Sequence, residues 1–150
     1  MTDNDREELK GAIRRRGQPL TDMQKLVNGK RIKAGRTLVQ FYADNEGHEH
    51  LGEAIVKRYL EIPGRGDEYD LRSTVVDAIS DMLHFGSSRG IAADNIISAI
   101  QFRDGEPLCD GIAQAIDELR PVLTEAGEDF SDAIRMAREH LGAETRTPSY

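Results

Sequence analysis

The sequence predicts an all-α protein: a helical bundle in which a duplicated helical hairpin, at about 71–103 and 108–141, packs on shorter N-terminal helices. Three observations carry that expectation. Moving residues 108–137 back by 37 positions sets Leu108 on Leu71, Ile112 on Val75, Ala115 on Ala78, Ile116 on Ile79, Leu119 on Met82, Val122 on Phe85, Gly127 on Gly90 and Ile134 on Ile97. The positions ahead of the shared glycine recur at steps of three and four, the spacing of one buried stripe on a helix, and the glycine stops the helix before a second apolar run. A single helical hairpin cannot cover its own apolar face, so two stacked copies account for each other.

Each element has its own signal. A first helix is expected from about Asp3 to Arg16, with Leu9, Ala12 and Ile13 on one face and acids in the first turns, where the helix dipole favours them. Gly17-Gln18-Pro19 stops it. Thr21 and Gln24 have the spacing of a capping box that opens a short helix, which Asn28-Gly29 is expected to close. From Lys30 to Asp44 the pattern is mixed: Leu38, Phe41 and Tyr42 fit a helix, whereas Thr37, Val39 and Phe41 fit a strand, and the helical context decides for helix. Leu51, Ile55, Tyr59 and Leu60 mark a further helix that ends where Pro63-Gly64-Arg65-Gly66 forbids continuation. In the second hairpin Pro121 stands where the first has His84, so the long helix is expected to break near Asp117 to Arg120. The expected organisation is one helical domain over 1–144, made of an N-terminal section (1–62) and the duplicated section (70–141), with 145–150 as a loose tail.

Composition narrows the function classes. The chain has 150 residues, one cysteine, Cys109, and no tryptophan. It has no partner for an internal disulfide, no stretch of signal-peptide character and no apolar run approaching the ~20 residues that span a bilayer, so a soluble cytoplasmic protein without a membrane partner is expected. The net charge of −7 divides unevenly: residues 1–40 carry ten Lys or Arg against five Asp or Glu, and residues 41–150 carry ten against twenty-two. The basic excess sits in Arg14, Arg15, Arg16, Lys30, Arg31, Lys33 and Arg36. Such a segment can dock on an acidic protein partner, on phosphates, or on the acidic remainder of its own domain. The triple arginine also suits the C-terminal end of a helix dipole. A dedicated duplex-DNA binder would be basic overall.

Asp77 and Asp81 lie four apart and so share one side of a helix, with Glu46, Glu49 and Glu53 on an earlier segment. Carboxylates from two helices are the hard oxygen ligands that Mg²⁺ takes. The plainer expectation is a solvated acidic face on an amphipathic helix. His84 is expected to be a packed side chain, Cys109 a small buried one, and the His48-Glu49-His50 run lacks the further ligands of a zinc site.

Two resemblances bear on these residues. Asp77-Ala78-Ile79-Ser80-Asp81-Met82-Leu83, followed by Gly90-Ile91, resembles the second motif of the all-α nucleotide pyrophosphohydrolases of the MazG type, and Glu46 and Glu49 have the spacing of the first. That likeness implies metal roles for Glu46, Glu49 and Asp81; the family's glutamate three residues before the aspartate is Ala78 here. The run Asp77 to Phe85, together with Gly127-Glu128-Asp129-Phe130-Ser131-Asp132-Ala133-Ile134 and Ala137-Arg138-Glu139-His140, is similar to segments of small helical proteins of phages, prophages and plasmids. It implies an accessory protein that acts by binding. The expected function is therefore a non-enzymatic interaction protein that needs no cofactor and meets a protein partner through its basic cluster. A divergent Mg²⁺-dependent pyrophosphohydrolase and a nucleic-acid accessory are the alternatives, and self-association is left open.

Overall fold

The computed structural model describes residues 22–145, among which there are seven α-helices and no strand. In chain order they are α1 (Asp22–Asp44), α2 (Leu51–Leu60), α3 (Leu71–Ser88), α4 (Ala93–Gln101), α5 (Pro107–Asp117), α6 (Arg120–Glu125) and α7 (Phe130–Thr145). The expected helix over Asp3 to Arg16 and the expected tail lie outside the described residues, the tail apart from Thr145. One contiguous apolar core draws side chains from α1 to α7.

The duplication is structural as well as textual. Val75 and Ile112, Ala78 and Ala115, Ile79 and Ile116, and Met82 and Leu119 are all fully buried pairs. Both shared glycines take left-handed backbone, Gly90 at φ 80° and Gly127 at φ 76°. Each ends its helix with the same bonds: Ile91 N–H donates to the Gly86 carbonyl at 2.9 Å, and Glu128 N–H to the Leu123 carbonyl at 2.9 Å. This six-to-one bond needs a left-handed residue just before its donor, which is why glycine recurs there. The copies diverge at Pro121, where the helix interrupts between α5 and α6 and Leu119 fills the core at the break.

The N-terminal part departs from the expected pattern. Helix α1 runs through Asn28-Gly29 without a stop and continues to Asp44. Gly29 lacks the positive φ that a helix-ending glycine adopts. Burial of Ala34, Leu38 and Tyr42, at steps of four, carries the helix through a residue of poor propensity. Thr37 and Val39, which fitted a strand, are helical as well.

Helix α3 lies at the centre. It was expected to bury a stripe, yet nearly every residue from Thr74 to Gly86 is buried, including Ser80, Asp81 and His84. Its principal neighbours are α1 and α7, with α2, α4, α5 and α6 closing the remaining sides. Asp70 caps it by accepting from Ser73 N–H at 3.1 Å. Helix α1 packs tightly on α3 at Gly35, where a Cβ would stand 2.0 Å from the main-chain carbonyl oxygen of Asp81.

Two alanine substitutions separate these roles. Gly29 has nothing within 4 Å of where a Cβ would go, so Gly29→Ala should stabilise by roughly 0.5–1 kcal/mol in urea unfolding. Gly35→Ala forces α1 away from α3 and should cost at least about 1–3 kcal/mol. A destabilised Gly29→Ala would show that the helix does turn or end at that point.

Candidate functional site

Two features stand out, a buried charge and a basic groove, and they share one residue. Asp81, on the central helix and 1% exposed, is ringed by polar partners. The Tyr59 hydroxyl donates to Oδ2 at 2.6 Å; Arg65 donates from Nε to Oδ2 at 3.0 Å and from Nη2 to Oδ1 at 2.8 Å. The guanidinium therefore grips both carboxylate oxygens, the geometry in which a planar fork holds a carboxylate best. Arg65 reaches inward from the turn after α2, where Gly64 and Gly66 adopt φ 76° and 74° and let the chain double back. Its Cζ also lies 5.9 Å from the centroid of the Tyr59 ring.

The solvated acidic face expected for Asp77 and Asp81 is thus corrected: Asp81 is a core residue and Asp77 is half-buried. Burial pushes the Asp81 carboxyl up to about 6, with Tyr59 and Arg65 pulling against it. Burial pushes the Tyr59 phenol up too, aided by the charge on Asp81. For Arg65 burial favours losing the proton, but Asp81 and Tyr59 outweigh it and hold the guanidinium charged.

The groove runs along α1. Lys30, Lys33, Ala34 and Thr37 form one wall; Arg58 of α2, then Glu61, Ile62, Pro63 and Arg65 of the turn, form the other, around a cavity of about 470 Å³. It adjoins a second cavity of about 410 Å³, bounded by Lys33, Arg36, Gln40, Phe41, Asp44 and Arg58. The spacing 30, 33, 37 aligns side chains on one helix face. The side chains of Lys30, Lys33 and Arg36 are exposed and make no ion pair or hydrogen bond among the described residues. The basic segment therefore does not spend these charges on its own acidic remainder. Arg58 stands 4.0 Å from Glu61, and Arg65, with 19% of its side chain exposed, offers the groove only an edge.

The sequence-predicted residues thus divide. Lys30, Lys33 and Arg36 come together. Arg31 instead donates to Asn28 Oδ1 at 3.1 Å, and Arg14, Arg15 and Arg16 lie outside the described residues. Sequence reasoning missed Arg58 and Arg65; an arginine between two glycines in an otherwise tight turn was the available signal for the second. Of the carboxylates considered for Mg²⁺, Glu46 and Glu49 are exposed in the loop after α1, Asp77 faces His140 Nδ1 at 4.0 Å, and Asp81 is taken up by Tyr59 and Arg65. Among the described residues no three His, Cys, Asp or Glu side chains gather as a metal site. Cys109 is buried in the first turn of α5, where burial and the acids Asp104, Asp110 and Glu106 push its thiol up. No described helix is long and apolar enough to cross a membrane. Compared with protein-family models, with curated proteins and with solved structures, the chain matches none.

The buried carboxyl has a signature in pH. Its pKa rises on folding from the ordinary 3.8 to about 6, so between those values the native state binds a proton that the unfolded chain has already released. This site's contribution to stability should therefore fall as pH rises through that window and stay level above it. The unfolding free energy of the protein minus that of Asp81→Asn, which keeps the shape but cannot ionise, isolates the trend; a difference that grows with pH across the window contradicts it.

Proposed function

We propose that this protein is a non-enzymatic interaction module whose basic groove between α1 and α2 receives an acidic segment of a protein partner. The observation that carries the reading is the trio Lys30, Lys33 and Arg36: three exposed cations on one helix, without an ion pair among the described residues, beside a groove with Ile62, Pro63 and Phe41 in its walls. Unpaired like charges repel one another and contribute nothing to the folded state, so a role outside the chain explains their clustering. Charge steers the encounter, and the apolar wall supplies contact area for whatever side chain lies between the partner's acids. An accessory role for a mobile element or its host suits such a module, as the similarity to small phage and plasmid helical proteins suggests. The reading places it in the cytoplasm and requires no cofactor.

Reversing Lys30, Lys33 and Arg36 to glutamate should leave the helical circular dichroism intact and lower retention of the partner from cell extract by at least about tenfold. Retention of the same partner by the native protein should also weaken as salt is raised. Capture that ignores both the reversal and the salt removes the assignment.

A further inference from the structure

Directly after the groove wall, the chain forms a short acidic loop, Asp67-Glu68-Tyr69-Asp70, before α3 begins. The loop is tightly held. Asp67 N–H donates to Thr74 Oγ1 at 2.8 Å, the Thr74 hydroxyl donates back to the Asp67 carbonyl at 2.7 Å, and Tyr69 N–H donates to Asp67 Oδ1 at 2.9 Å. Thr74 is itself buried, and Arg65 ties the preceding turn to Asp81 in the core. Yet Tyr69 is 89% exposed. An aromatic ring presented to water by a loop this ordered contributes nothing to the fold and has already lost the backbone freedom that binding would otherwise cost. Tyrosine is among the side chains that most often anchor protein interfaces.

The loop has the properties of the segment that the neighbouring groove accepts: three acids around one aromatic residue. We infer that, in the absence of another partner, this loop of a second copy occupies the groove, and that the protein forms a two-fold dimer in which each Tyr69 inserts beside the other copy's Lys30 and Lys33. A basic groove and an acidic knob, set only a few residues apart in the chain, can be self-complementary under a two-fold axis, because the rotation that brings knob to groove on one side does the same on the other. The charges are opposite in sign and neither set is neutralised by the other within one copy, since Lys30 and Lys33 make no ion pair among the described residues. The dimer would hold the groove closed against weaker acidic ligands, so a partner must displace the loop to bind. This inference rests on the reading of the groove as an acceptor of acidic segments.

Sedimentation equilibrium of the full chain, over a wide protein concentration range and at low and high salt, tests it. Association should depend on concentration, weaken with salt, and weaken at least about tenfold in each of Tyr69→Ala, Glu68→Lys and Lys33→Glu. All three positions are exposed, so folding should be unaffected. The decisive arm mixes the two charge variants. In a two-fold dimer the lysine at 68 of one variant meets the glutamate at 33 of the other, while the unaltered loop and groove meet on the opposite side, so the mixture should associate as the native protein does. A chain that stays monomeric at every concentration, a dimer indifferent to these substitutions, or a mixture that fails to associate overturns the inference. Loss of the dimer with partner capture intact would leave the reading of the groove standing, whereas loss of sensitivity to charge in capture would remove that reading.

Discussion

Asp81 is where the structure is joined. Its main-chain carbonyl meets α1 at the one point where only glycine fits, Gly35, and its side chain binds Tyr59 of α2 and Arg65 of the turn that follows. Three successive parts of the chain are thus registered against a single residue of the central helix. A buried carboxylate is expensive to desolvate, and a bidentate arginine with a phenol hydroxyl offsets that cost without turning it into a large gain. What such a pair does supply is position. Apolar side chains tolerate small slips along a helix, whereas a fork and a carboxylate align in one arrangement only.

The position matters for the surface above it. Arg65 is at once the counterion of the core acid and part of the groove wall, so the groove inherits the rigidity of the core. The turn that carries Arg65 continues into the acidic loop and its exposed tyrosine, which Thr74 secures from the first turns of α3. The surface cations are treated differently from the buried one. Arg65 is fully engaged, while Lys30, Lys33 and Arg36 on α1 have no ion pair among the described residues. Among the described residues the fold satisfies the cation it buries and leaves its surface cluster without a counterion, which suits partners supplied from outside.

The duplicated section was legible because it repeats. Two copies of the same apolar spacing, each closed by a left-handed glycine, reinforce a signal that either alone would give weakly, and Pro121 correctly marked the break in the second copy. The N-terminal section had no second copy to check against. Asn28-Gly29 has the local chemistry of a helix end, and only the burial of Ala34, Leu38 and Tyr42 against α3 overrides it. Asp81 was misread for a related reason. An acid four residues from another acid on an amphipathic helix ordinarily faces water, and the partners that bring it inside stand 16 and 22 residues earlier in the chain, on elements whose packing no local pattern reveals. The groove was half legible: the density of cations on α1 was visible, but the opposing wall of Arg58, Ile62 and Pro63 exists only once α2 folds back.

The most direct measurement is a double-mutant cycle between Asp81 and Arg65, with Asp81→Ala and Arg65→Ala made singly and together and compared by urea unfolding. If this contact sets the register of α2, the turn and α3, either single change strands a charge and costs several kcal/mol, the double change costs less than their sum, and the coupling energy exceeds about 2 kcal/mol. Effects that add to within about 0.5 kcal/mol would mean that the two residues do not depend on each other, and the account built on their contact would be wrong.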